Sequence, residues 1–223
     1  MCVLVFQEMP VIMREKRQGE IGMDYQAVIK ALKRNRYQAQ YFETGEEAVQ
    51  YLLQQLQGQR IGFGDSETIS QLNLYTLLAQ NNTVIDPKQS KDNDEFLAMA
   101  RECLTTDIFL TSVNGMTADG VLVNLDGTGN RIAGSLFGHK KVYYIVGTNK
   151  ICSSLEDTVW RVRNVAAPKN AKRLQLRTPC AVKGDKCYNC ASTERICNGL
   201  LIQLKKMNDM EMEVLLVHED LGF

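Results

Sequence analysis

The sequence predicts an α/β protein built on a mostly parallel β-sheet flanked by helices. Two observations lead there. Segments with helical periodicity alternate with short apolar runs, the order that gives strand–helix–strand units. Two of those runs, DIFLTSV (107–113) and KVYYIV (141–146), carry the unbroken apolar stretches IFL and VYYIV. Strands of a parallel sheet are covered on both faces and read that way.

The elements follow in order. In DYQAVIKALKRNRY, Tyr25, Val28, Ile29 and Leu32 recur at i, i+3, i+4 and i+7 and mark one face of a helix. Gln38 to Phe42 reads as a strand. Thr44 followed by Glu47 is a capping box that opens a helix running to Leu56. RIGFG is a short strand ending in glycines. Ser66 begins one further helix, SETISQLNLYTLLA, and TVID is a strand. Asp92 or Asn93 caps DNDEFLAMAREC. Beyond DIFLTSV, the VLVNL core alternates as a strand should and turns at Asp126-Gly127. KVYYIV is the next strand. Leu155 to Val165 is helical and is expected to stop before Pro168. LLIQL and EVLLVHE are expected to pair as two terminal strands. With no repeat, low-complexity tract or linker, residues 1–223 read as a single domain that carries a cysteine-rich segment at 178–198.

The balance of charge narrows the function. Lysine plus arginine equals aspartate plus glutamate at 26 each. A neutral chain gives no reason to expect nucleic acid or a membrane as partner. No apolar run has transmembrane length. The opening MCVLVF lacks the basic flank and cleavage site of a signal peptide. The reading is a soluble, cytoplasmic protein, and a homodimer is the assembly to look for. In that compartment thiols stay reduced, and an odd total of seven cysteines also argues against a disulfide framework. Cys2, Cys103 and Cys152 read as small buried apolar residues.

Open α/β sheets bind ligands beyond the carboxyl ends of their strands, and three polar loops follow strands here. In GFGDSET, Gly62 and Gly64 let backbone approach an anion and Ser66 opens a helix; Asp65 argues against a simple phosphate cradle. The plainer reading is a turn at Gly64 and a cap at Ser66. In NGMTADG, Asn114, Thr117 and Gly120 accompany Asp119, a candidate general base, although Asp-Gly is also a common turn pair. In GTNK, Asn149 and Lys150 could bind a carboxylate or phosphate. Three such loops on one edge would make a pocket. His139 and His218 lack metal-ligand spacing and read as surface or structural residues. No Walker A, G-x-G-x-x-G or G-x-S-x-G motif occurs.

The runs TSVNGMTADGVLVNLDGTGNRIAG, GHKKVYYIVGTNKI and RVRNVAAPKNAKRL resemble the LUD family of lactate-utilisation proteins, from about Tyr25 to the cysteine segment. That resemblance implies a fold similar to the ribose-phosphate isomerase, glucosamine-phosphate deaminase and CoA-transferase group. It implies an association with bacterial lactate oxidation alongside iron–sulfur partner proteins. It places a G-x-G-x-S loop on Gly62, Gly64 and Ser66, with Asp65 where a further glycine is usual. No motif matches the catalytic glutamate of CoA transferases, so CoA transfer is not carried over. Asn170, in the matched RNVAAPKNA segment, joins the expected pocket.

The segment CAVKGDKCYNCASTERIC concentrates Cys180, Cys187, Cys190 and Cys197 with gaps of six, two and six residues. Four thiolates suit a tetrahedral zinc ion or an iron–sulfur cluster. The Cys187–Cys190 knuckle can aim two sulfurs at one centre, and the longer arms can bring Cys180 and Cys197 back to close it. The redox association of the family favours the cluster, with zinc as the alternative. A Cys187–Cys190 dithiol is the metal-free reading.

These readings combine into one expectation: a small anionic metabolite held by Gly62, Gly64, Ser66, Asn114, Thr117, Gly120, Asn149, Lys150 and Asn170, with Asp119 as the base, and a metal on the four cysteines. The alternatives are a sugar-phosphate isomerase or deaminase, by fold analogy, and a non-enzymatic redox or metabolite sensor.

Overall fold

The computed structural model describes residues 23–223; Cys2 and the MCVLVF opening lie outside them. The chain runs α1 (Tyr25–Arg34), β1 (Gln38–Phe42), α2 (Gly45–Gln55), β2 (Arg60–Phe63), α3 (Glu67–Gln71), α4 (Leu74–Leu78), β3 (Thr83–Ile85), α5 (Asn93–Cys103), β4 (Ile108–Thr111), β5 (Gly115–Thr117) and β6 (Leu122–Asp126). It continues with α6 (Asn130–Leu136), β7 (Lys141–Gly147), β8 (Ile151–Cys152), α7 (Leu155–Arg161), a π-helical stretch (Val162–Ala166), α8 (Ala167–Arg173), α9 (Pro179–Lys183), β9 (Gly199–Gln203) and β10 (Glu211–Val217).

The main sheet has six strands in the order β1-β10-β7-β4-β2-β3, and every pairing in it is parallel. Its strands bury alternate side chains on opposite faces. Val142, Tyr144 and Val146 of β7 join Val28, Ile29 and Leu32 of α1 in one core. Tyr143 and Ile145 join Ala48, Val49 and Leu52 of α2 in the other. Burying each such side chain contributes about 1.5–3 kcal/mol, so both layers are needed to hold a strand with no polar face. A second sheet, β8-β5-β6-β9, covers the α1 side through Met116 and Leu122.

Local sequence sets many boundaries as expected. Thr44 and Glu47 form the capping box of α2, and Asp92 caps α5 by accepting from the Glu95 amide. Three readings are corrected. The helix expected from Ser66 breaks into α3 and α4 at Asn73, which takes φ 50°; asparagine tolerates the left-handed region better than most residues. The helix expected to stop before Pro168 continues through it. The π-helical turn at 162–166 leads directly into α8, whose first turn accommodates the proline ring. The two expected terminal strands do not pair with each other. β9 lies antiparallel to β6, with Leu200 and Ile202 exposed on one face. β10 enters the main sheet between β1 and β7. Its unbroken buried run from Met212 to Val217 is what a strand covered on both faces requires.

Among the described residues no helix is long and apolar enough to cross a membrane.

Candidate functional site

Because β7, β4 and β2 are adjacent and parallel, the loops that follow them emerge at one edge. Lys150 ties them together: its Nζ donates to Thr68 Oγ1 at 2.8 Å and to Ser112 Oγ at 2.9 Å.

A cleft of about 250 Å³ opens at this edge, and its polar lining includes Asp65, Asn114, Asp126, Arg131 and Asn170. Phe96, Leu125, Ala166 and Ile196 supply apolar wall. Asp65 sits just past β2 with φ 47°, a conformation uncommon outside glycine and one that clusters at functional sites. Burial lifts its carboxyl above the ordinary aspartate range, while Lys88, Arg131 and Arg173 pull it back. Lys88 Nζ lies 3.9 Å from its carboxylate. Asp126 ends β6, and its Oδ2 accepts the Arg131 and Ile132 amides at 3.0 and 3.2 Å, which fixes the first turn of α6. Arg131 gives Nη2 to the Leu125 carbonyl at 2.8 Å. The rest of its guanidinium fork makes no hydrogen bond among the described residues.

Of the residues expected at the site from sequence, Asn114 and Asn170 line this cleft. Asn114 also holds the strand register, accepting the Leu125 amide at 2.9 Å, and Asn170 accepts from Arg173 Nε at 3.0 Å. Gly62 is buried within β2 for packing: a Cβ there would stand 2.9 Å from the Cys103 carbonyl. Gly64 is packed the same way against Thr111 and Phe109. Ser66 precedes α3 without a side-chain cap bond. Thr117, Asp119 and Gly120 form a turn away from the cleft: Thr117 Oγ1 donates to Asp119, and Asn35 Nδ2 reaches the Asp119 and Gly120 carbonyls at 2.9 and 3.1 Å. Asp119 is exposed there. Asn149 accepts the Leu221 amide at 3.3 Å. Lys150 faces inward onto Thr68 and Ser112.

Sequence reasoning missed Asp126, Arg131 and Ser112, and it weighed Asp65 only as an argument against phosphate. Three of the four stand in short polar stretches directly after apolar strands, and that was the available signal. His139 is a core residue. Its Nδ1 lies 2.6 Å from the Thr106 carbonyl and its ring stacks on Phe109 at 4.9 Å.

The four clustered cysteines are free thiols of intermediate burial. Cys197 Sγ receives Arg195 Nη2 at 3.3 Å. Cys187 Sγ receives the Asn189 amide at 3.4 Å and Arg163 Nη2 at 3.9 Å. Cationic and amide donors aimed at sulfur suit thiolates, so the chemistry of the donor set fits a cluster or zinc. The arrangement does not: among the described residues, no three His, Cys, Asp or Glu side chains gather where they could hold a metal ion. The segment nevertheless abuts the cleft. Cys187 N donates to Asn164 Oδ1 at 3.2 Å, and Ile196 forms part of the cleft wall.

A family model described as the LUD domain matches residues 25–217. Among solved structures, the chain is similar to a DUF162 family protein from Deinococcus radiodurans, with 12% identity over 86% of this chain and 95% of that one and a TM-score of 0.47. No curated protein matches the chain.

Proposed function

The chain belongs to the LUD-domain family, and on that premise we propose that it binds a small organic acid, lactate or a related hydroxy-carboxylate, and takes part in that acid's oxidation. The observation that carries this reading is the presence of Arg131 and Asp65 in one cleft at the carboxyl edge of the sheet. The uncommitted part of the Arg131 fork would take the ligand carboxylate in a charge-assisted, bidentate contact. Asp65, with a carboxyl lifted by burial, would accept the proton of the ligand's hydroxyl. The Asn114 and Asn170 carboxamides would orient the ligand between them. The hydrogen on the carbinol carbon, with the two electrons of its C–H bond, would pass as hydride to an electron-accepting partner protein as the alcohol becomes a carbonyl. An iron–sulfur cluster on Cys180, Cys187, Cys190 and Cys197 would supply one-electron transfer; zinc there would only clasp the segment. Either would require the four sulfurs to converge.

The test is a calorimetric titration of the protein with both lactate enantiomers, glycolate and inorganic phosphate. A hydroxy acid is expected to bind, and Arg131→Met is expected to weaken it roughly 10- to 100-fold, the worth of one charged hydrogen-bonded contact. Failure of every hydroxy acid to bind, or unchanged affinity in a folded Arg131→Met variant, overturns the reading.

A further inference from the structure

Lys150 is 2% exposed, and among the described residues no carboxylate pairs with it. A lysine at such depth ordinarily has an acidic partner. Here its partners are two hydroxyls, Thr68 Oγ1 at 2.8 Å and Ser112 Oγ at 2.9 Å. Ser112 is also buried. It stands just past β4, at the sheet edge where α/β proteins place their chemistry. Burial pushes the Lys150 amine down to about 7, and the positive charges of Arg161 and Arg131 push the same way. Much of the amine is therefore neutral near pH 7 and has a lone pair to offer.

We propose that Ser112 and Lys150 form a serine–lysine catalytic dyad that accepts an acyl group from an activated ester or thioester, with Thr68 orienting the amine. A neutral amine within hydrogen-bond reach of a serine hydroxyl is the arrangement that activates such a nucleophile. The Ser112 hydroxyl passes its proton to Lys150 Nζ while Oγ bonds to the acyl carbon. The bond from that carbon to the leaving oxygen or sulfur breaks, and the leaving group takes the proton back from Lys150. Water then hydrolyses the acyl-serine by the same proton relay, releasing the acid. No electrons are exchanged, so this activity is independent of the oxidation proposed for the cleft.

The dyad lies beneath the segment 219–222. Gly222 is seated on it: a Cβ there would fall 2.7 Å from Thr68 Oγ1 and 3.1 Å from Lys150 Nζ. The segment is held by Gly222 N to Gln71 Oε1 at 2.7 Å, Leu221 N to Asn149 Oδ1 at 3.3 Å and Gly45 N to Glu219 Oε1 at 2.7 Å. Acylation therefore requires this cover to lift, and removing the Gln71 amide should ease it.

The experiment incubates the full chain with p-nitrophenyl acetate and, separately, with a fluorophosphonate, and maps adducts by peptide mass spectrometry. The expected result is an adduct on Ser112 whose rate of formation rises with pH through the amine's titration. Gln71→Ala should form it faster. Folded Lys150→Met should form it about 100-fold more slowly, the scale of a lost general base, and Ser112→Ala should not form it at all. If Lys150→Met does not fold, Thr68→Val replaces it, with a slower rate and a displaced pH profile expected. The proposal is overturned if wild type and Gln71→Ala carry no adduct on Ser112 at alkaline pH. It is equally overturned if the folded variant at Lys150, or its replacement at Thr68, reacts as wild type does.

Discussion

The backbone amide of Asn198 donates to the carbonyl of Asp126 at 2.9 Å, joining the end of the cysteine segment to the strand that carries a cleft carboxylate. Asn198 Nδ2 adds a bond to the Gly127 carbonyl at 3.1 Å. Gly127 lies against Ile196, so that a Cβ on it would stand 2.8 Å from the Ile196 Cα. The obstacle is backbone, which cannot swing aside. Gly127→Ala is therefore expected to cost about 1–3 kcal/mol, the usual penalty of overpacking. Thermal denaturation would show a lower melting temperature, and titration would show weaker hydroxy-acid binding. An unchanged melting temperature would mean that the segment yields freely.

The same contact links the thiols to the cleft. If the four sulfurs converge on a metal, protein purified without oxygen will carry iron and sulfide, or zinc, and will lose it in Cys187→Ser. Elemental analysis with an absorption spectrum distinguishes these. Removing the metal should speed amide hydrogen exchange at residues 126–131, because the segment that pins them would loosen. Metal-free protein would leave the Cys187–Cys190 dithiol as the working account of the cysteines.

Asp65→Asn separates fold from chemistry. Asparagine accepts a positive φ at least as well as aspartate, and the change removes a carboxyl that burial disfavours in its charged form. Stability should hold or rise slightly. Oxidative turnover should fall roughly 10²- to 10⁴-fold, as for a lost general base, with ligand affinity little changed. Steady-state kinetics beside calorimetry makes the comparison, and turnover equal to wild type would remove Asp65 from the reaction.

Lys150 makes stability depend on pH. Its amine titrates at about 7 in the fold against about 10.4 in an unfolded chain. Between those values the unfolded state binds the extra proton, so stability should rise as pH rises from about 7 to about 10.4 and be lowest below that window. Lys150→Met should flatten this part of the curve and stabilise the protein at neutral pH. Urea titrations across the range would show it, and an identical pH slope in the variant would refute it.

His139 acts at lower pH. Burial lowers its imidazole below the ordinary value, so the fold holds it neutral. Its contribution is fully present above about 6.5, the unfolded value, and is lost as pH falls from there through the lower folded value. His139→Phe should remove that acid sensitivity, as read from melting temperatures below neutral pH.

Much of the framework was legible in the sequence because its causes are local. Apolar runs with no polar face required strands covered on both sides, and β4, β7 and β10 are such strands. The Thr44–Glu47 pair fixed the start of α2 because both caps lie within one turn. The loops after β2 and β7 meet at one edge because their strands run parallel, with Lys150 reaching Thr68 and Ser112, whereas the NGMTADG loop turns away beyond Asn114 toward Asn35.

What only the tertiary structure decided was which neighbours each segment meets. The run at β10 signalled burial, but insertion between β1 and β7 depends on hydrogen bonds to residues far away in sequence. The same limit governed the site. Asp119 and Asp126 are each followed by glycine and look alike as a dipeptide. One lies in an exposed turn beside Asn35 and the other in the cleft beside Arg131, because the direction of a side chain is set by the fold around it. The four cysteines show the limit most plainly: spacing made a shared centre possible, but whether the sulfurs meet depends on packing that no spacing encodes.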